Sequence, residues 1–351
     1  MDINEFADLI ERCKMSVDKQ GKMTFTPRYH KDERRVAEII KNNKMEHFSF
    51  TDLQALSKNF APLYQARRKL QAKRAEEFTS LSPKQIAELS TEQKLDYLEA
   101  VFPKWQEPDE LLKVCAENEQ NIKAALYGIK FPESFWKAEK KSVERYASLI
   151  AGQSELCDKL KNWRQTSLND KKEVVKQAAE VFEYVYGVAP KIEFFTEEQE
   201  RAKLLAAGLN KDAHINAAYQ QGDTLYFNEE RLQQSDNFFA VSVLLHEGTH
   251  LRQDTQSFND KSVDRIFDCN MCYVSYYDRK KNDKQSAEYM DLYAANPIEV
   301  HAHAVQDYME QRFPEISGIK KVDGAENAVA DKIHNKAFTM AKIAQADLRE
   351  K

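Results

Sequence analysis

One segment limits what this chain can fold into more than any other: Phe238-Phe-Ala-Val-Ser-Val-Leu-Leu-His-Glu-Gly-Thr-His-Leu-Arg-Gln253. Its first half is almost wholly apolar, which predicts a helix buried in a core. Polar groups in such a place need partners, because unpaired burial is costly. His246 and His250 lie four apart, so a helix projects both rings from one face, about one turn apart. That spacing lets two ring nitrogens reach a single tetrahedral Zn²⁺ at about 2.0–2.1 Å. Glu247 then lies beside the ion without binding it. There it can take a proton from a water whose pKa the metal lowers to about 7.

A catalytic zinc needs three protein ligands and an open position. The continuation HExxHxxGxxH would need glycine at 253 and histidine at 256, but Gln253 and Gln256 stand there. The third ligand is therefore sought downstream, in Tyr289-Met-Asp-Leu-Tyr-Ala-Ala-Asn-Pro-Ile-Glu-Val-His-Ala-His-Ala-Val-Gln-Asp-Tyr308. Asn296-Pro297 reads as a helix start: asparagine caps free N–H groups and proline suits the first helical position. Glu299 falls in the first turn of that helix. His303 is four residues on and shares its face, which makes it an alternative ligand, an outer partner or an oxyanion donor. His301 reads as an ordinary surface histidine.

An HExxH helix followed by a second helix bearing a glutamate resembles the gluzincins, the class of thermolysin. The pattern Tyr293-x5-Glu299-x2-Ala302 is also similar to the catalytic domain of anthrax lethal factor and related bacterial metallopeptidase domains. The resemblance covers the motif segments and about residues 165–310. It implies His246, His250 and Glu299 as metal ligands, one Zn²⁺ per chain and Glu247 as general base. Tyr293 is the candidate donor to the oxyanion of a tetrahedral intermediate, with Tyr289 as its alternative. Gly248 and Ala302 are small enough for the two helices to approach closely around a metal. Gly248 otherwise costs about 1 kcal/mol of helix propensity, so packing is expected to account for it.

Composition narrows the rest. Across 351 residues there are only nine glycines and nine prolines, with 31% charged residues, which predicts a helix-rich protein of two domains. The net charge of −5 gives no electrostatic case for nucleic-acid binding. The basic run Arg67–Arg74 is followed at once by Glu76 and Glu77 and reads as a solvated helix face. No stretch approaches 18 consecutive apolar residues, so no membrane span is expected. The first residues lack a secretory signal and point to a cytoplasmic protein. Five cysteines without a framework suit a reducing compartment. Cys269 and Cys272 form a lone C-x2-C, expected to be two packed thiols.

Residues 1–164 read as an all-α N-terminal region of unknown role. Thr51-Asp-Leu-Gln54, Ser82-Pro-Lys-Gln85 and Ser90-Thr-Glu-Gln93 have capping-box form. Glu133 to Lys161 reads as one long amphipathic stretch, while Met23–Thr26 and His47–Phe50 are candidate short strands. Residues 165–351 read as a zincin-like metallopeptidase domain. In it, Ser167 caps a helix that Gly187 ends, Lys191–Phe195 is a strand, and His214–Tyr219 and Thr224–Phe227 flank a turn at Gln221-Gly-Asp223. The motif helix follows, capped by Ser235 or Asp236, and a scaffold helix runs from about Ala325 to the C-terminus. By resemblance, a strand within 213–228 should line the cleft and pair with an extended substrate.

The expected fold is α+β and predominantly helical, with a small sheet. The expected activity is that of a zinc-dependent hydrolase, cleaving a peptide or protein substrate by Glu247-assisted attack of water. Its rival is a zincin scaffold that binds or regulates without hydrolysis. The N-terminal region is where a protein partner would be sought.

Overall fold

The computed structural model describes residues 1–19, 22–27, 32–101, 108–206, 215–258, 260, 262–267 and 296–322. Helices dominate and the strands are few and short, an α+β arrangement. Two compact units divide the chain, Met1–Ile129 and Lys130–Lys351.

The first unit opens with α1 (Ile3–Arg12), whose N-terminal amides are accepted by Asp2 in a closed capping box with Glu5. The chain then departs from the all-α expectation. β1 (Cys13–Val17) and β2 (Met23–Pro27) pair antiparallel. Alternation of Met23 and Phe25 with threonines supplies the period-2 pattern that a half-buried strand needs. After α2 (Glu33–Asn42), the expected strand at His47–Phe50 is replaced by a 3-10 turn over Met45–His47 and the start of α3 (Phe50–Thr79). The cap of α3 is Ser49, two residues before the expected Thr51. Asp52 closes the box: the Ser49 amide donates to its carboxylate at 2.8 Å, and its own amide donates to the Ser49 hydroxyl at 3.3 Å. α4 (Pro83–Glu88) starts in the expected box of Ser82 and Gln85. α5 (Thr91–Val101) starts from Ser90, whose hydroxyl accepts the Gln93 amide at 3.2 Å. α6 (Pro108–Tyr127) closes the unit.

In the second unit the stretch expected to be one helix breaks at Gly152-Gln153 into α7 (Glu133–Ala151) and α8 (Ser154–Lys161). The sequence places both in the N-terminal region, with a boundary at 164/165. They instead share one hydrophobic core with the elements that follow. Val143, Tyr146, Ile150, Leu156 and Leu160 pack in the same cluster as Val174, Phe182, Leu244, Leu245 and Met309. α9 (Leu168–Tyr186) begins at the Ser167 cap and ends at Gly187, whose φ of 72° is a left-handed conformation that glycine adopts without strain.

β3 (Lys191–Phe195) leads to α10 (Glu197–Ala206), then β4 (Ala218–Gln221) and β5 (Thr224–Asn228). The sheet order is β3-β5-β4, with β3 parallel and β4 antiparallel to β5. The strand expected from His214 begins at Ala218; His214 itself lies outside the described residues. The turn falls where expected, with Gly222 at φ 63°. Tyr219 and Tyr226 sit opposite each other and stack at 4.9 Å. α11 (Glu229–Gln234) and α12 (Phe239–Thr255) follow, and α13 (Pro297–Ser317) lies against both α7 and α12. The expected C-terminal helix from Ala325 falls outside the described residues. Among the described residues, no helix is long and apolar enough to cross a membrane.

Candidate metal centre

Two helix starts position the site. At the head of α12 the N-cap position is Phe238, not the expected Ser235 or Asp236, and the Asp236 carboxylate accepts the amides of Phe238 and Phe239 at 2.8 and 3.0 Å from the turn before it. Asn237 donates to the carbonyls of Leu160 and Lys320 at 3.2 and 2.9 Å and locks that end in place. At the head of α13, the Asn296 side chain accepts the Ile298 amide at 3.1 Å and Pro297 takes the first helical position. Glu299 thus stands in the first turn, where the helix dipole favours a carboxylate.

α12 carries His246, Glu247 and His250 into the core, and Gly248 sets how deeply. A Cβ at Gly248 would stand 2.6 Å from two ring carbons of Phe182, closer than atoms can pack. The close approach expected there is therefore real, but its partner is α9 and not the Glu299 helix. Ala302 is fully buried on α13.

His246, His250 and Glu299 offer three ligand atoms that all lie within 4.8 Å of one another. The two Nε2 atoms are 3.2 Å apart, and the Glu299 Oε2 lies 3.8 Å from His246 and 3.5 Å from His250. Ligands placed about 2.0–2.2 Å from a central ion define a tetrahedron with edges of about 3.3–3.6 Å. The triangle's edges of 3.2, 3.5 and 3.8 Å lie within about 0.2 Å of that range. Two imidazoles and one carboxylate also form a donor set that suits a borderline divalent ion. The group fits a metal.

Electrostatics within the cluster follow from burial. Burial, with His303 and His250 adding to it, holds His246 well below its ordinary value. Burial opposes charge on His250 too, but adjacent Glu299 lifts it to about 10. Glu247 does not join the triangle. Burial pushes its carboxyl up to about 7, against the pull of His250 and of a backbone hydrogen bond from Gln220 on β4. A carboxyl poised near neutrality beside three converging ligands is equipped to accept and return a proton.

The structure brings together four of the five side chains expected from sequence. Tyr293, the fifth, lies outside the described residues, as do Tyr289, Cys269 and Cys272. His303 stands next to the triangle, its ring centroid 4.3 Å from that of His246. His301 departs from expectation: it is a fully buried residue, not a surface one. Its ring sits among Phe131, Phe135, Trp136, Phe258 and Phe267, with Phe267 stacked at 5.4 Å. Its Nε2 lies 3.1 Å from the Glu139 carboxylate.

The sequence assigns no site role to Glu139, Arg252 or Gln253. Arg252 donates two hydrogen bonds of 2.8 Å to the two oxygens of Glu139. Burial alone would raise the Glu139 carboxyl, but Arg252 and then His301 more than offset it and hold it far below the usual carboxylate range. Gln253 is three residues past His250 and therefore shares its helix face, a signal that was available. Glu139 is distant in sequence on α7 and left no local trace. No protein-family model, curated protein or solved structure matches the chain.

Proposed function

We propose that this protein is a zinc-dependent hydrolase, a peptidase whose site has the gluzincin pattern of ligands. The observation that carries this reading is the convergence of His246 Nε2, His250 Nε2 and Glu299 Oε2 at tetrahedral spacing beside a Glu247 that stays outside the triangle. Zn²⁺, if held by His246, His250 and Glu299, would supply Lewis acidity at this point. Glu247 accepts the proton of the attacking water and returns it to the leaving amine. Its position near neutrality supports both halves of that exchange.

The substrate is an extended peptide. β4 is an edge strand of its sheet among the described residues, and the backbone of its Gln220 lies close enough to the Glu247 carboxyl to lower it. A peptide laid along that edge would gain main-chain hydrogen bonds next to the base. Tyr293 is proposed as donor to the developing oxyanion, and the N-terminal unit as a surface for a protein partner.

The test is metal content per chain by elemental mass spectrometry, joined to cleavage of a peptide library. The wild type should hold about one zinc. Glu299→Ala should lose it and His303→Ala should keep it. Glu247→Gln should retain the metal and lose turnover, and Tyr293→Phe should lower kcat with metal retained. No zinc after reconstitution, or full turnover by Glu247→Gln, sinks the reading.

A further inference from the structure

Behind the ligand triangle lies a buried chain of hydrogen bonds whose direction can be worked out atom by atom. It starts at Gln253. Its Nε2 lies 3.0 Å from the carbonyl oxygen of Ile298, and a carbonyl can only accept. The amide nitrogen must therefore face Ile298, and Oε1 must face the other way, toward His250 Nδ1 at 2.9 Å. An amide oxygen also only accepts, so His250 Nδ1 carries a proton and donates it. The second hydrogen on Gln253 Nε2 points to His301 Nδ1 at 3.0 Å, which is thus bare. The proton of His301 then sits on Nε2 and is donated to Glu139 Oε2 at 3.1 Å. Glu139 is an ionised acceptor, gripped by both nitrogens of the Arg252 fork.

We infer that Gln253, His301 and Glu139 form a positioning relay that holds His250 with Nδ1 protonated and Nε2 aimed at the triangle. None of the three reaches the ligand atoms. They act through His250, fixing the orientation of its ring and which nitrogen is available to a metal. The inference rests on the zinc reading above for its purpose, but not for its geometry. A ring free to rotate or to exchange its proton would present Nδ1–H or a hydrogen to the ion in part of the population. Outer partners of metal-bound histidines contribute about 10–100-fold in metal affinity for this reason. The apolar walls around the relay favour its completeness, since Phe131, Phe135, Trp136, Phe258 and Phe267 leave His301 no water to turn to.

The experiment uses the full chain labelled with ¹⁵N-histidine, which has eight resonance sets to assign. Long-range ¹H–¹⁵N spectra distinguish a protonated from a bare ring nitrogen. In the metal-free protein His301 Nδ1 is expected to be bare, and in the zinc-loaded protein His250 is expected to keep its proton on Nδ1. A bare His250 Nδ1, or a His301 protonated on Nδ1, overturns the relay. Zinc affinity is then measured by competition with a chromogenic chelator. Gln253→Leu, which removes the acceptor, should bind zinc about 10–100-fold more weakly. Gln253→Glu keeps an acceptor opposite His250 but loses the donor to Ile298 and His301, so it should bind zinc more weakly than wild type and more tightly than Gln253→Leu. Equal loss in both variants, or none in either, overturns the positioning role. A wild type with His301 Nδ1 bare that takes up no zinc would leave the relay standing and sink the hydrolase reading.

Discussion

Gly248 shows how much can hang on one missing methyl group. In an exposed helix, replacing glycine by alanine gains about 1 kcal/mol of propensity. Here the new Cβ would stand 2.6 Å from the fully buried ring of Phe182. Overpacking of this kind costs about 1–3 kcal/mol, so the sign should invert and Gly248→Ala should lower the midpoint of thermal unfolding. Adding Phe182→Leu should recover part of the loss, and a Gly248→Ala variant more stable than wild type would contradict the packing described. A small residue between the motif histidines signals close approach in the sequence. Which helix does the approaching is not written there, because Phe182 belongs to a stripe that serves α9 equally well with any neighbour.

Between elements, the tie that matters most joins α7 to α12 through Glu139 and Arg252. Breaking a buried pair leaves an uncompensated charge, which costs about 3–5 kcal/mol. Glu139→Gln is therefore expected to destabilise the protein by that order in chemical unfolding at neutral pH. The pair also sets an acid limit. The Glu139 carboxyl is held below its ordinary value of 4.5, so its contribution is fully present above that pH. Stability is lost as pH falls below 4.5 toward the depressed folded value, because the unfolded chain takes up the proton first. The gap in stability between wild type and Glu139→Gln should accordingly narrow on acidification from pH 5 to about pH 3. A gap that stays constant over that range would show that Glu139 is not held ionised. Element boundaries were legible where a cap states them locally, as at Ser82, Ser167, Gly187 and Asn296. They were missed where two caps compete, as at Ser49 and Thr51, or where a single Gly152 breaks a stretch with one continuous amphipathic pattern.

At the scale of the whole molecule, the second unit begins near Lys130 and not at residue 165. A fragment of residues 130–351 should fold cooperatively and bind zinc, as read by circular dichroism and metal content. A fragment of residues 165–351 should do neither. It lacks Val143, Tyr146, Ile150, Leu156, Leu160 and Trp163 from the core, and it strands Arg252 without Glu139. A well-folded 165–351 fragment would overturn this account of the unit. What the sequence determined alone is local: the motif helix and its apolar approach, the capped start before Glu299, the turn at Gly222, and the helical spacing that puts His246 and His250 on one face. Such features depend on residues within one or two turns of each other, where backbone geometry sets what meets what. Only the tertiary structure decided that Glu299 closes the triangle at tetrahedral spacing, that Gln220 flanks Glu247, and that a carboxylate on α7 anchors a histidine on α13. Those contacts join residues far apart in the chain, and they exist because burial in one core leaves each polar group only the partners that the fold brings within reach.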